Sequence, residues 1–273
     1  MISAPPIALS IAGSDCSAGA GLQADLKTFQ HFQVHGLTAV TCVVAETARV
    51  VRAVEAVSPE TLAAQVDLLL ASFPVAAIKT GMLFSAGHVR VVCELLAARP
   101  GPALVVDPVM VASTGDPLLE PDAVALYQEY LLPLARLITP NLPEAEVLLG
   151  HSIRHADELE SAARALAARY GVNVLLKGGH LPGRDCLDLL LADGEVHRFT
   201  TPRLSVPGSH GTGCTLSAAI TAQLAHGLPL PAAVAAAKDY LTRTLRHSYQ
   251  FRHPAAEPVH ALNQGTVRWS EAD

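Results

Sequence analysis

Gly208-Ser-His-Gly-Thr-Gly-Cys-Thr215 offers the most chemistry of any segment in this chain. Its glycine spacing is that of a Walker A loop, but Cys214 stands where that motif requires Lys, which excludes a P-loop nucleotidase. Gly211, Thr212 and Gly213 can still turn backbone N–H groups toward one point ahead of an Ala-rich helix. Such a nest holds an anion and stabilises charge developing on a transferring phosphoryl group. Cys214 then falls in the first helical turn, where the dipole and any bound cation lower a thiol's pKa, so it can act as a base near neutral pH. A small buried hydrophobe is the plainer account of a single Cys. The surrounding glycines and His210 favour chemistry.

Two carboxylates suit a divalent metal. Asp107 ends an apolar run and is followed by Pro108, and Glu144 lies within Asn141-Leu-Pro-Glu at the first turn of a helix. Oxygen ligands at such places fit Mg²⁺, which keeps waters and bridges to phosphates. A capping role alone would also explain Glu144. Lys177, closing the run Val-Leu-Leu-Lys, is placed to pair with phosphate or to snorkel at a strand end. Near the start, Gly19-Ala-Gly21-Leu-Gln-Ala24 fits a dinucleotide fingerprint, with Glu46 as its acidic partner. That fingerprint needs its first Gly directly after a strand, and Ser14–Ala18 intervene here. A loop closing on a substrate, with Asp25 one turn into the following helix, is the competing reading.

These groups need a scaffold that gathers them. Apolar runs of strand length (7–12, 38–44, 76–79, 103–106, 137–139, 172–177 and 187–192) alternate with stretches of helical period. The helices are predicted over 21–32, 59–72, 85–98, 120–132, 142–148, 156–169, 215–226 and 231–248. Several strands are continuous Val/Ile/Leu runs, the mark of strands covered on both faces of a parallel sheet. Alternation then implies right-handed crossovers and an α/β fold with helices on both faces. No linker-like tract interrupts it, so a single domain over residues 1–250 is expected, followed by an irregular tail over 251–273. In such folds ligands sit beyond the carboxyl ends of the strands. The polar motifs fall at those ends, which predicts one composite site.

Composition limits the alternatives. The chain has 273 residues, half of them hydrophobic and 16% charged, with a formal net charge of −6, which excludes disorder. A negative chain is a poor polyanion binder, so nucleic acid is not expected as a partner. No apolar stretch reaches bilayer length, and no membrane partner or signal peptide is expected. The five cysteines, 16, 42, 93, 186 and 214, show no zinc spacing and indicate free thiols in a reduced, cytoplasmic setting. The twelve histidines are scattered, and only His180 and His210 fall near the predicted site.

Taken in order, the motifs resemble the hydroxymethylpyrimidine/phosphomethylpyrimidine kinases of thiamine biosynthesis, within the ribokinase-like superfamily. The resemblance is carried by Ala12-Gly-Ser-Asp, Ala18-Gly-Ala-Gly-Leu-Gln-Ala-Asp-Leu-Lys-Thr28 and Lys79-Thr-Gly-Met82. Asp107-Pro-Val-Met110, Gly115-Asp-Pro-Leu-Leu119 and Ile138-Thr-Pro-Asn-Leu-Pro-Glu144 continue it. Leu176-Lys-Gly-Gly-His180 and His210-Gly-Thr-Gly-Cys-Thr-Leu-Ser-Ala218 complete it. It implies a three-layer αβα sandwich with a mostly parallel sheet, a homodimer, and ATP and Mg²⁺ as cofactors, with a monovalent cation as a further candidate. The implied reaction is phosphorylation of a pyrimidine hydroxymethyl group, with the monophosphate as a candidate second acceptor. Cys214 then takes the base position, supported by the Gly211 and Gly213 amides. Asp25, Glu46, Met82, Val109 and Gly13 bind the ring, Lys177, Asn141, His210 and Thr212 serve the nucleotide, and Asp107 and Glu144 serve the metal.

One departure stands at the substrate end. The family pattern is Ala-Gln-Asn-Thr, whereas this chain has Ala45-Glu46-Thr47-Ala48. An amide both donates and accepts, but an ionised carboxylate only accepts. Glu46 can accept from an exocyclic amine, and a protonated ring nitrogen would supply a second hydrogen. An unprotonated ring nitrogen facing it would be repelled, at a cost of about 1–3 kcal/mol or more. A pyridoxal-type kinase for a pyridine alcohol, and a non-catalytic ligand sensor, are therefore the alternative readings.

Overall fold

The structure is a computed structural model describing residues 3–110, 119, 121–179 and 181–265, so His180 and most of Gly115–Leu119 lie outside the described residues. The chain runs β1 (Ile7–Asp15), α1 (Gly21–His31), β2 (His35–Thr47), β3 (Val50–Ala56), α2 (Pro59–Ser72), β4 (Val75–Thr80), α3 (Ala86–Ala97) and β5 (Ala103–Val106). It continues through α4 (Pro121–Leu126), β6 (Leu137–Ile138), α5 (Leu142–Leu149), α6 (Leu159–Tyr170), β7 (Asn173–Lys177), β8 (Asp185–Ala192) and β9 (Glu195–Pro202). Helices α7 (Thr212–Ala225) and α8 (Leu230–Arg246) precede β10 (Tyr249–His253) and β11 (Ala256–Ala261).

Nine strands form one sheet in the order β3-β2-β1-β4-β5-β6-β7-β8-β9. The strands from β2 through β7 pair in parallel, and β3, β8 and β9 join antiparallel at the two sides. Alternate residues of each central strand feed opposite layers, as the period of two requires. Ile11, Leu104, Val106, Ile138 and Leu176 meet Leu62, Val92, Leu148 and Leu166 from α2, α3, α5 and α6. Ala77, Val105, Leu137 and Leu175 meet Leu216, Ile220, Val234 and Leu241 from α7 and α8. Phe29 of α1 packs with Ala218 and Ala222 of α7 on that second face. This is the α/β fold with helices on both faces that the alternation predicted, and the three-layer αβα sandwich that the resemblance implied.

Strand order reverses between β1 and β4, which opens a crevice there at the carboxyl ends. The β1–β2 register shifts between Ala12 and Ser14, so Thr41 and Cys42 together oppose Gly13. The bulge splays the strands at the crevice wall. A Cβ on Gly13 would lie 2.9 Å from Cys42 Sγ.

The structure differs from the predicted elements in four places. Strands β3 and β9 were not expected, because Val50–Ala56 and Glu195–Pro202 mix charged and apolar residues at exposed sheet margins. The predicted helix over 120–132 ends as α4, a π turn over Tyr127–Leu131 and a 3₁₀ turn over Leu132–Leu134. Pro133 supplies no N–H and its ring crowds the carbonyl of the preceding turn, so regular α bonding stops. Helix α7 starts at Thr212 rather than 215, with Gly211 as its N-cap at φ +81°. The tail expected to be irregular from residue 251 carries the β10–β11 hairpin instead. Its short, exposed strands alternate too weakly to register as strands in the sequence. An exposed Arg49–Glu257 ion pair of 2.5 Å links the β2–β3 turn to that hairpin.

Candidate active site

A cleft of about 730 Å³ opens at the carboxyl ends of the parallel strands. Gly13, Glu46, Met82, Val109, Asp107, Asn141, Glu144, Lys177, His210, Gly211, Thr212, Gly213 and Cys214 all line it. These residues come from points spread along the chain, and the sheet brings them together because each follows a strand or opens a helix. A shallower hollow of about 340 Å³ near Arg136, Asn173 and Gly194 holds none of them.

The phosphate-type groups cluster under α7. Lys177 Nζ lies 3.0 Å from Asp107 Oδ1, and Thr139 and Ser217 donate hydroxyl bonds of 3.1 Å to the two oxygens of that carboxylate. Burial opposes the Asp107 charge, but Lys177 and then Lys79 outweigh it and hold the carboxyl below its ordinary value. Gly213 sits against this pair, since a Cβ there would be 3.4 Å from Lys177 Nζ and 3.6 Å from Asp107 Oδ2. Glu144 is buried and forms a full capping box with Asn141: the Asn141 N–H donates to Glu144 Oε2 at 2.7 Å, and the Glu144 N–H donates to Asn141 Oδ1 at 3.0 Å. Burial pushes Glu144 up to about 7, with Lys177 opposing and Asp107 adding to the rise. A cation arriving beside it would favour its ionised form.

Helix α7 has no side-chain cap, so its first amides are the natural anion donors. Thr212 departs from the expected nest: its N–H donates to the Ser209 carbonyl at 3.1 Å, and its hydroxyl donates to the same oxygen at 2.8 Å. The 3₁₀-type turn into the helix uses that amide, leaving Gly213 and Cys214 in the first turn. Cys214 departs as well. Its place in the first turn was expected to lower its pKa, but burial pushes the thiol up to about 11. Lys79 pulls it down, Asp25 and Asp107 push it up, and a backbone hydrogen bond from Gly21 favours the thiolate.

Asp25 is the predicted site residue that does not reach the cleft wall. It is fully buried, holding Lys79 Nζ at 2.8 Å and accepting the Ser10 hydroxyl at 2.5 Å. Helix α1 turns it inward, and Lys79 stands between it and the cleft. Glu46 is half-buried beside a register shift between β2 and β3. Burial raises its pKa, Asp15 adds to the rise, and His210 opposes it.

The family model described as phosphomethylpyrimidine kinase matches residues 15–260. The chain belongs to the phosphomethylpyrimidine kinase family. It is 49% identical over 237 residues to the hydroxymethylpyrimidine/phosphomethylpyrimidine kinase of Rhizobium meliloti, covering 86% of this chain and 88% of that one. The crystal structure of phosphomethylpyrimidine kinase from Clostridium difficile is similar at a TM-score of 0.78 and 36% identity, over 87% of this chain and 98% of that one. Pyridoxal kinase from Staphylococcus aureus, in complex with AMP-PCP and pyridoxal, is similar at a TM-score of 0.86 and 32% identity, over 96% and 94%.

In this member of the phosphomethylpyrimidine kinase family, Lys79, Asp188 and Asp15 are among the charged groups at or beside the cleft that sequence reasoning did not single out. Lys79 ended a predicted strand, but its pairing with Asp25 spans 54 residues and appears only once β1, β4 and α1 are assembled. Asp188 accepts the Gly178 N–H at 3.0 Å and pairs with Lys238 at 2.6 Å, bracing the turn after Lys177. It hides within the apolar run Leu187–Ala192. Asp15, in the Gly-Ser-Asp motif, had no assigned role, yet its carboxylate accepts four hydrogen bonds. Among the described residues, no helix is long and apolar enough to cross a membrane.

Proposed function

We propose that the chain transfers the γ-phosphoryl group of ATP to the hydroxymethyl oxygen of 4-amino-5-hydroxymethyl-2-methylpyrimidine, with the monophosphate as a second acceptor. The observation that carries this reading is the shared cleft: ring-sized apolar walls from Val44, Met82 and Val109 continue directly into Lys177, Asp107 and the Gly211–Cys214 turn. A substrate ring at the first end brings its hydroxyl to Cys214, and a triphosphate at the second meets Lys177 and the amides of Gly213 and Cys214. Phosphoryl transfer asks mainly for alignment and charge stabilisation, and these groups supply both.

Mg²⁺ fits the residues present. Asp107 and Glu144 are hard oxygen donors, close enough that the Asp107 charge raises the Glu144 carboxyl. Among the described residues no group of three or more His, Cys, Asp or Glu could hold a metal by itself. An ion shared with phosphate oxygens and water is the arrangement Mg²⁺ favours. Bound there, it would polarise the phosphoryl oxygens.

Cys214 acts on the hydroxyl. With its thiol pushed up to about 11, only a small fraction is thiolate at neutral pH, and it is that thiolate form which accepts the hydroxyl proton as the oxygen attacks phosphorus. Lys79, beneath it, favours that thiolate form. Turnover should therefore rise with pH on the alkaline side. Cys214→Ala should still bind ATP and lose at least about a hundredfold in kcat, within the range general bases contribute. Full turnover in that variant would remove Cys214 from the reaction.

A pyridine alcohol is the second reading, carried by Glu46, whose carboxylate matches an amine and a protonated ring nitrogen rather than a neutral ring acceptor. An ATP-consumption panel of pyrimidine and pyridine alcohols decides between them. Pyrimidine turnover supports the first, turnover of pyridine alcohols alone supports the second, and consumption of neither rejects both. A homodimer is the expected assembly, checked by sedimentation.

A further inference from the structure

Asp15, the last residue of β1, has a side chain only 1% exposed and four hydrogen bonds to its carboxylate. Oδ1 accepts the Ser17 N–H at 2.7 Å, and Oδ2 accepts the Gly19 N–H at 3.1 Å, the Ala20 N–H at 2.8 Å and His210 Nε2 at 3.0 Å. Three of these curl the loop after β1 around one carboxylate, and the fourth reaches the loop that leads into α7. Burial works against this charge, but His210 and the loop amides prevail and hold the carboxyl well below the usual range.

The two loops touch without room for a side chain between them. A Cβ on Gly19 would come within 2.7 Å of the His210 ring, and one on Gly211 within 1.9 Å of the Gly19 carbonyl oxygen. From α1, Lys27 donates to the Ala18 carbonyl at 2.6 Å, and Gln23 accepts the Asp15 N–H at 3.0 Å and donates to Ser14. The first loop ends at Gly21, which opens α1 and lines the same cleft as Cys214. Asp15 thus shapes the loop that leads into α1, and through His210 it also holds the loop on which Cys214 sits.

We infer that Asp15 is a positioning residue which, with His210, clasps the two glycine loops together and so fixes the turn that carries Cys214. The inference rests on the proposed role of Cys214. Asp15→Asn should lower kcat about tenfold while leaving the KM for ATP within about twofold, the pattern of an interaction that matters only in the transition state. Hydrogen exchange of the substrate-free protein supplies the second reading. In Asp15→Asn the amides of both loops, 16–21 and 208–214, should exchange faster, with the sheet unchanged. His210→Ala should produce the same two-loop pattern from the other side, and it carries the test alone if Asp15→Asn does not fold. Faster exchange confined to each variant's own loop, or an unchanged kcat, overturns the clasp. Because exchange needs no substrate, coupled loops without kinase activity would sink the proposed function and leave the clasp standing.

Discussion

Lys79 Nζ lies 2.8 Å from Asp25 Oδ2, with both side chains wholly shielded from solvent beneath the candidate active site. Burial disfavours the ammonium, but Asp25 outweighs it and holds Lys79 above its ordinary value, with Cys214 and Asp107 adding to the rise. The raised Lys79 pKa means its share of the stabilisation is fully present at neutral pH and is lost only as pH climbs through the strongly alkaline range. Burial raises the Asp25 carboxyl despite Lys79, so that charge is held at a cost. Breaking such a pair leaves an uncompensated buried charge. Lys79→Met or Asp25→Asn should each cost about 3–5 kcal/mol in urea unfolding. The double variant Lys79→Met with Asp25→Leu should recover much of that loss. Recovery of stability without recovery of turnover would mean that the Lys79 charge also serves Cys214.

Glu46 should make ring affinity depend on pH. Its raised pKa reflects burial and Asp15, against His210. As pH falls from neutral, either Glu46 or the substrate ring gains a proton, and the carboxylate no longer faces a bare ring acceptor. The KM for the aminopyrimidine should therefore fall toward acid. Glu46→Gln should lower KM about tenfold at neutral pH and flatten the profile, in line with about 1.4 kcal/mol. A Glu46→Gln profile matching the unaltered protein would show that this residue does not read the ring.

Gly211 and Gly227 share the same left-handed backbone, φ +81° and φ +83°, but not the same surroundings. A methyl on Gly211 collides with the Gly19 carbonyl, whereas one on Gly227 has nothing within 4 Å. Gly227→Ala should cost about 1 kcal/mol from backbone strain and keep its activity. Gly211→Ala should force the two loops apart and abolish most turnover. Thermal melts and ATP consumption on the pair separate backbone strain from loop contact.

The layers were legible in the sequence, and every predicted site residue except Asp25 lines the cleft, because these features depend on local pattern. Continuous apolar runs such as Ala103–Val106 read as buried strands, and polar residues directly after them had to lie at the strand ends. Strands β3 and β9 were not legible. Their pairing comes from neighbours in the sheet, while their own residues face solvent and carry mixed polarity.

Residue types and order along the chain determined the αβα class, the single composite site, the family resemblance and the unusual carboxylate at Glu46. The tertiary structure decided which groups meet and what charge they carry. Asp25 turned out to face Lys79 rather than the cleft, and Thr212 gave its amide to Ser209. The Cys214 thiol rose to about 11 instead of falling, because desolvation there outweighs its helical position. Such outcomes follow from burial and from contacts between distant segments, and Asp15 and His210 lie 195 residues apart in the chain but 3.0 Å apart in the fold.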